Sequence, residues 1–417
     1  MSDSILLVDQ LIDGRSPEPR RDMAVVVRGD RIQAVVPRGQ VSPTMRKDAR
    51  LVEAPGHTLM PGLIDCHAHL VFHQFPTLQR IDQDSVELAT LRAARNAEIL
   101  VEHGYTTVRD VASRGAASIS VGRAVSEGRI RGPRVLACGP MITTTAGTAD
   151  SYPPWIRNTA GLGAVVDGAR EIQAEVRRQA KMGASHVKLG LSGSEPSVYC
   201  FTWMTTMSQE EVSAAVAEAH RMRLRVACHA EAEDSALYAA RAGADTIEHG
   251  TRLTEEAASL MREKGIHLVP TLCTLYSVLE LGETLGLGQK QRDEMDVNRG
   301  PWLASLELAR KMGVKVAAGG DIGNRYRHGE NAKEILLLAE NGFTPMEALQ
   351  AATSVAADAL GLGDRVGQLA PGYSADLVLV DGDPLRGLKL LLDQARITRV
   401  MVAGRWQKEE PAIAGPR

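Results

Sequence analysis

The chain has 417 residues, of which 44% are hydrophobic and 24% charged, and this composition excludes disordered, collagen-like and coiled-coil proteins. The formal net charge of −3 includes no block of like charge, which argues against a nucleic-acid surface or an anionic-membrane anchor. Aromatic residues make up only 4% of the chain, which also disfavours a base-stacking platform. We therefore expect a small-molecule substrate and neither a nucleic-acid nor a membrane partner.

The cysteines and the N-terminus bear on the cellular location. The five cysteines are odd in number, widely spaced and without a CxxC pair, which argues against a disulfide framework and favours a reducing compartment. The N-terminus lacks the basic region of a signal peptide, and no stretch approaches the roughly 20 apolar residues that span a bilayer. We therefore expect a cytoplasmic protein whose cysteines are small core residues.

Both ends of the chain predict short β-strands. Near the N-terminus, 5–8, 24–28 and 31–36 are rich in β-branched residues, and Gly29-Asp30 predicts a hairpin turn. Near the C-terminus, 375–380 and 400–405 have the same character. Two β-rich ends around a long middle predict a small sheet domain of 1–60 plus 364–417.

The middle of the chain, 61–363, alternates strand and helix. Eight strands are predicted, at 59–66, 106–111, 133–137, 186–189, 224–229, 246–248, 267–270 and 315–318. Helices are predicted at 85–102, 166–181, 208–221, 255–263, 302–311 and 331–340, and Ser208 with Glu211 predicts a capping box. Eight βα units predict an α/β protein with a parallel (β/α)8 TIM barrel. The alternative is an open doubly wound sheet, although no glycine-rich phosphate motif follows any strand.

Metal-type residues stand within or shortly after five of the predicted strands, and in a barrel the chemistry lies at the C-terminal ends of the strands. His67 and His69 follow the first strand at i and i+2, so their imidazoles face the same side of an extended chain. Lys188 lies inside an apolar strand, where burial lowers the pKa of an amine and permits reaction with carbon dioxide to a carbamate. A lysine that extends to solvent at the barrel mouth is the alternative.

Three further candidates end separate strands. His229 and His249 close two consecutive strands, and Asp321 follows the small-residue strand 315–318. Each could be structural, since a strand-end histidine often forms ordinary hydrogen bonds and an aspartate can cap a helix. Together, four imidazoles, one carboxylate and one lysine carbamate complete two cation sites of the kind that zinc prefers.

The opening and closing motifs resemble those of the amidohydrolase superfamily. They are the segment 61–70, PGLIDCHAHL, and the segment 367–378, GQLAPGYSADLV. The resemblance covers nearly the whole chain and implies a metal-bearing barrel with a composite β-sandwich formed by both ends. It also implies that His67 and His69 hold the more buried metal, that His229 and His249 hold the second, and that carboxylated Lys188 bridges them. Asp321 would bind the first metal and shuttle protons.

Shorter motifs resemble one branch of that superfamily, the prolidase-like dipeptidases and the xenobiotic or ochratoxin-type amide hydrolases. They are 106–110, TTVRD; 229–231, HAE; 247–250, IEHG; and 328–331, HGEN. The branch includes Xaa-Pro and Xaa-Arg carboxypeptidase-type enzymes, and we expect a homo-oligomer. After the third strand the branch commonly carries a Gly-Gly-His-Gly loop, whereas 143–150 here reads TTTAGTAD. The substrate is therefore left open.

The expected reaction is hydrolysis of an amide bond by a hydroxide that bridges two divalent ions, and the expected ion is Zn²⁺. Asp321 would take the proton of the attacking water and pass it to the leaving nitrogen. Tyr199 and His328 lie on the loops after strands 4 and 8, and we expect them to contact the substrate. Arg325 and Arg327 are candidates for an anionic group.

Two rival functions and one variation of the reaction remain open. A mononuclear deaminase of the same superfamily usually has a glutamate three residues after the strand-5 histidine, where this chain has Ala232. A non-catalytic scaffold relative would lose metal ligands, and none is missing here. The same centre could also hydrolyse an ester, lactone, carbamate or urea.

Overall fold

The computed structural model describes residues 3–74, 78–156 and 161–409, and their fold is of the α/β class. The strands are β1 (Ser4–Leu11), β2 (Arg20–Arg28), β3 (Arg31–Pro37), β4 (Arg50–Pro61), β5 (Leu63–Ala68), β6 (Tyr105–Asp110), β7 (Arg134–Ala137), β8 (Met141–Thr143), β9 (Gly163–Val165), β10 (His186–Gly190), β11 (Arg225–Ala230), β12 (Thr246–His249), β13 (His267–Val269), β14 (Leu377–Asp381), β15 (Ile397–Val402) and β16 (Arg405–Glu409).

Helices connect most of these strands. They are α1 (Pro43–Arg46), α2 (Leu78–Asp82), α3 (Val86–Glu102), α4 (Ala117–Ser126), α5 (Ala169–Met182), α6 (Gln209–Arg221), α7 (Glu233–Ala242), α8 (Glu255–Lys264), α9 (Leu272–Leu281), α10 (Gln289–Met312), α11 (Lys333–Glu340), α12 (Pro345–Ala351) and α13 (Ser354–Ala359). In the part of the chain that the structure describes, no helix has both the length and the apolar content needed to cross a bilayer.

Strands from both ends of the chain form one seven-stranded sheet in the order β16-β15-β14-β4-β1-β2-β3. At the join, β4 pairs antiparallel with β14, with Met60 opposite Val378. Alternate residues pack on opposite faces, so that Leu6 belongs to one apolar cluster and Leu7 to another. Strands from the two predicted β-rich segments thus share one sheet.

The hairpin predicted at Gly29-Asp30 is present, and Arg28 pairs with Arg31 across it. The single strand predicted at 400–405 is wrong, because the chain turns at Ala403 and Gly404 and separates β15 from β16. Both turn residues have positive φ, 47° and 71°, a conformation that ends an extended strand.

The middle of the chain provides parallel strands in two sheets, ordered β13-β12-β11-β10-β8-β9 and β5-β6-β7. The strand predicted at 315–318 is not found, although the structure describes all four of these residues. This segment and the residues after it form isolated bridges instead. Val316 bridges Leu268 of β13, and Ile322 bridges Ala68 of β5. This segment therefore lies between the two sheets, and the adjacent Gly319-Gly320 favours its irregular backbone.

Helix α6 shows how the sequence fixes an element. Ser208 caps it, and Glu211 completes the predicted capping box. The buried face of α6 is spaced at i, i+3, i+4 and i+7, the period of an amphipathic helix, and consists of Val212, Ala215, Val216 and Ala219. Helix α10 is longer than the predicted 302–311, since Pro301 is accommodated within it. All five cysteines are free and buried, as predicted.

Candidate metal centre

One buried cavity contains all six predicted metal-type residues. It lies where β5, β10, β11 and β12 end, beside the segment that follows 315–318. These six residues are His67, His69, Lys188, His229, His249 and Asp321, and other residues complete the lining. Parallel strands bring these residues together because their C-terminal ends meet at one edge.

His67, His69 and Asp321 form the tightest group. One potential ligand atom from each lies within 4.8 Å of the others. Asp321 Oδ1 is 2.9 Å from Nε2 of His69 and 3.7 Å from Nε2 of His67. Burial opposes ionisation of Asp321, but the close contact with His69 and the other nearby imidazoles hold the pKa of this carboxyl well below its usual range. Two imidazoles and a carboxylate are a suitable donor set for a divalent cation.

Glu248 fixes the orientation of His67. Its Oε2 lies 2.7 Å from Nδ1 of His67, and because a carboxylate only accepts, the imidazole donates there. Its Oε1 accepts from Nη2 of Arg109 at 2.7 Å, and Nε of Arg109 donates to the carbonyl of Cys66. Nε2 of His67 therefore keeps the lone pair that a metal ligand needs. Arg109 thus holds the carboxylate that orients His67.

The other two histidines are held by neutral partners. Nδ1 of His249 lies 2.6 Å from the hydroxyl of Thr271, which itself donates to the carbonyl of Pro270. The hydroxyl therefore accepts from His249 and leaves its Nε2 with a lone pair. Nε2 of His229 donates to the carbonyl of Gly193 at 3.0 Å, which leaves Nδ1 as its basic nitrogen. The rings of His229 and His249 are 4.6 Å apart.

Three of the imidazoles, those of His67, His229 and His249, have a lowered pKa and are uncharged in these surroundings. Burial, and then the nearby Lys188 amine, lower the pKa of His67 to about 4 and the pKa of His229 to about 3. A metal ligand must be a neutral imidazole, so the cavity provides the required form near pH 7.

Lys188 is fully buried, and its Nζ has no hydrogen-bond partner among the described residues. Burial lowers the pKa of its amine. An unpartnered buried amine is costly, and a neutral amine is the form that reacts with carbon dioxide. The alternative of a lysine that reaches solvent is wrong, because the side chain is fully buried and lines the cavity.

Three residues of this site have positive φ although none is glycine: His249 at 67°, Thr271 at 50° and Asp321 at 52°. Such conformations cost about 1–3 kcal/mol each and are retained where the surrounding structure requires them. His249 ends β12 and Thr271 follows β13, and the side chains of His249 and Asp321 line the cavity. Backbone strain therefore coincides with the chemistry of the site.

The structure does not bring the two expected substrate contacts to this cavity. Tyr199 is 40% exposed and lines a separate surface depression with Asp150 and Tyr152. His328 is packed behind His69, with its Nε2 3.2 Å from the His69 carbonyl. Of the residues described, neither lines the cavity, since Tyr199 faces outward and His328 supports the backbone.

The two candidate arginines also have other partners. The guanidinium of Arg325 is buried and donates to Oε2 of Glu195 at 2.5 Å. Arg327 is exposed and donates to Gln74. Their expected role with an anionic group is therefore not supported by this geometry, because Arg325 is paired and Arg327 faces solvent.

Several residues of the cavity were not singled out from the sequence. Glu195, Glu231, Thr274 and Asn324 line it, and Thr274 donates to Oδ2 of Asp321 at 2.7 Å. Glu231 had one available signal, its position two residues after His229 at a strand end. Burial, followed by the carboxylates of Glu294 and Glu195, raises the pKa of Glu231.

The residues present fit divalent metal ions. Beyond the three oriented imidazoles, Oδ1 of Asp321, Nδ1 of His69 and Nζ of Lys188 are buried without hydrogen-bond partners among the described residues. Buried polar atoms are normally paired, and an ion is one explanation when they are not. His67, His69 and Asp321 would hold one ion, and His229 and His249 a second.

Comparisons with known proteins agree with this chemistry. Residues 58–407 match the model of the Amidohydrolase family. The chain is 30% identical to the ochratoxinase of Aspergillus niger, over 96% of this chain and 86% of that protein. It superposes with a TM-score of 0.90 on a prolidase solved with N-methylphosphonate-L-proline, at 30% identity, over 98% and 100% of the two chains. The TM-score is 0.89 for a Xaa-Pro dipeptidase with bound methionine, at 30% identity, over 97% and 99%. The chain belongs to the amidohydrolase family.

Proposed function

We propose that this protein is a dinuclear metal hydrolase that cleaves an amide bond of a small molecule. Family membership makes the chain a hydrolase acting on carbon–nitrogen bonds. Candidate substrates are dipeptides, N-acyl amino acids, and aryl amides, carbamates or ureas. The observation that carries the proposal is the convergence of four imidazoles, Asp321 and the unpartnered amine of Lys188 on one buried cavity.

In this proposal the two ions are Zn²⁺, and carbon dioxide or bicarbonate carboxylates Lys188 into a ligand shared by both. Bound divalent ions supply Lewis acidity, which lowers the pKa of water and polarises a carbonyl. The neutral imidazoles and the carbamate are donors that suit zinc. The ligand set supports two ions better than one, because a mononuclear site does not need a bridging anionic ligand such as carboxylated Lys188.

The residues of the chain manage the proton. Oδ2 of Asp321 accepts from the hydroxyl of Thr274, so Oδ1 is the oxygen that faces His69 and remains able to accept a proton. Asp321 would take a proton on Oδ1 from the attacking water and release it to the leaving nitrogen. His67, oriented by Glu248, and His249, oriented by Thr271, would keep the site rigid during this transfer.

The proposal extends to architecture and assembly. The segment between β13 and β5 hydrogen-bonds to both, since Ala317 donates to Leu268 and Ala318 accepts from Cys66. These contacts support a closed (β/α)8 barrel over 61–363, with a composite β-sandwich domain of 1–60 plus 364–417. We further propose a cytoplasmic homo-oligomer.

A substrate screen with metal control tests the function. Purified protein is incubated with zinc and bicarbonate and assayed on dipeptides, N-acyl amino acids, and aryl amides, carbamates and ureas. We expect hydrolysis that disappears on chelation, two zinc ions per chain, and loss of most activity in a folded Lys188→Ala variant. Full activity of that variant would contradict the bridge. One metal per chain with ammonia released from aminopyrimidines would favour the deaminase instead.

A further inference from the structure

Beyond the proposed ligands, the lining of the metal cavity includes an apolar set and a polar set of side chains, which we call its apolar and polar walls. One wall is apolar and consists of Phe72, Leu78, Met141, Leu162 and Met295. The other carries the polar side chains of Glu195, Glu231 and Asn324. Because binding cavities usually combine an apolar surface with a few convergent polar groups, the polar wall is where recognition of a charged or polar substituent is expected.

Glu231 is the residue of the polar wall that follows a proposed metal ligand, His229, most closely along the chain. It is 4% exposed, and the hydroxyl of Ser192 holds its backbone N–H at 2.9 Å. Its Oε1 lies 3.5 Å from Nε2 of His229, whereas its Oε2 is buried and has no hydrogen-bond donor among the described residues. A buried carboxylate oxygen without a donor is costly. A ligand that brings a donor would remove this cost.

Glu195 also has one buried carboxylate oxygen without a hydrogen-bond donor among the described residues. Its Oε2 accepts from Arg325, while Oε1 is buried with no donor in the described part of the chain. The neighbouring Glu294 is paired with Lys290 at 3.8 Å. Arg252 acts on Glu231 electrostatically but forms no ion pair with it within 4.0 Å. Glu231 is thus the carboxylate of this wall that lacks an arginine or lysine in contact.

We propose that Glu231, together with Glu195, binds the free amino group of an aminoacyl substrate. This inference rests on the proposed function and narrows its substrate class. A scissile carbonyl would lie between His229 and His249, and an α-amino group is two bonds from the carbonyl carbon. The donor-less oxygen beside His229 is therefore within reach of that ammonium, while the apolar wall accommodates a hydrophobic side chain. N-acylated substrates would lose this contact.

A pair of chromogenic substrates tests the inference on the zinc- and bicarbonate-loaded protein. L-leucyl-4-nitroanilide has the free amino group, and N-acetyl-L-leucyl-4-nitroanilide lacks its charge; neither leaving group carries a carboxylate. We expect kcat/KM to be at least about tenfold higher for the free amine, which is the scale of one charge-assisted hydrogen bond. Equal values for the two substrates would overturn the inference and leave the proposed function standing.

Two variants test whether Glu231 of the polar wall causes the expected preference for the free amine. Glu231→Gln should reduce the ratio of the two kcat/KM values by about tenfold, chiefly through the KM of the free amine. Its zinc content should stay at the wild-type value. The exposed Glu233→Gln, two residues further along, is the matched control and should retain the wild-type ratio. An unchanged ratio in Glu231→Gln with its zinc in place would assign recognition elsewhere and overturn the proposal.

A binding measurement separates the two failures. L-leucinol and N-acetyl-L-leucinol have no scissile amide in common with the nitroanilides, and calorimetric titration of each reports on the amino site alone. We expect L-leucinol to bind the loaded wild-type protein and to lose affinity in Glu231→Gln. If neither nitroanilide is cleaved, the binding measurement still tests the amino site, and equal binding of the two leucinols would overturn it.

Discussion

Glu248 is the acceptor for Nδ1 of His67, at 2.7 Å, and both side chains are buried. Burial alone would favour the protonated acid, yet Arg109 and the hydrogen bond from His67 hold the pKa of Glu248 well below its usual range. The carboxylate therefore stays ionised and fixes one tautomer of the imidazole. Metal affinity at His67 consequently depends on a residue that is not itself a proposed ligand.

The first prediction concerns this contact. Glu248→Gln replaces the acceptor with an amide that can also donate, so the tautomer of His67 is no longer fixed. We expect metal affinity or activity to fall by about 10–100-fold, measured as zinc content after dialysis against graded chelator. The exposed Glu307→Gln is the control. Zinc retention equal to wild type in Glu248→Gln would contradict an orienting role.

The second prediction concerns Lys188. In metal-free protein its buried amine has no partner, so Lys188→Met should raise the free energy of unfolding by about 1–3 kcal/mol. The same variant should lose most zinc- and bicarbonate-dependent hydrolysis. Urea unfolding in the presence of chelator measures stability, with the exposed Lys181→Met as control. Lower stability of the metal-free Lys188→Met protein would show that the amine has a favourable partner.

The third prediction concerns acid stability and His267. Burial, and then the charge of Lys315, lower the pKa of His267 to about 4, compared with about 6.5 in the unfolded chain. The unfolded state therefore binds the proton first, and stability falls as the pH drops from about 6.5 towards 4. The full contribution is roughly 3 kcal/mol.

Replacement of this histidine should flatten the dependence. His267→Gln cannot take up the proton, so its free energy of unfolding should decline less than that of wild type between pH 7 and pH 4.5. Urea titrations in chelator at several pH values measure the difference, and His57→Gln is the control. Parallel pH curves for wild type and His267→Gln would contradict the assignment.

The fourth prediction concerns Gly319. A Cβ at this position would lie 2.8 Å from the backbone nitrogen of His67 and 2.5 Å from the side chain of Val269. Since the backbone cannot give way cheaply, Gly319→Ala should shift His67 and lower zinc affinity at least about tenfold. Gly387→Ala is the control, because no described atom lies within 4 Å of its Cβ. Calorimetric zinc titration distinguishes the two.

The sequence was informative wherever function depends on position along a strand. His67, His229 and His249 could be predicted because each ends a hydrophobic run, and the parallel strands bring those ends together. The six cavity residues were therefore found without knowledge of any contact. The strand at 315–318 was not predicted correctly, since Gly319-Gly320 permits a backbone that makes bridges instead of a regular ladder.

Contacts that depend on loop conformation could not be predicted in the same way. We expected Tyr199 to contact the substrate because it lies on the loop after the predicted strand 186–189, but the loop turns its side chain outward. Thr271, which orients His249, has a positive φ, and no local sequence pattern predicts that conformation. Glu195 and Arg325 are distant along the chain and meet through space, so neither sequence position alone predicts the buried pair.

The pairing of β4 with β14 has a consequence for biosynthesis. Strand β4 is translated before the whole stretch from β5 to α13, whereas its neighbour β14 is translated only after that stretch. Until residue 377 has been translated, one edge of β4 keeps unpaired backbone groups that can recruit other chains. Nonsense mutations or ribosome stalling between these two strands should therefore produce aggregation-prone fragments, and chaperones that shield strand edges should matter most until β14 has been translated.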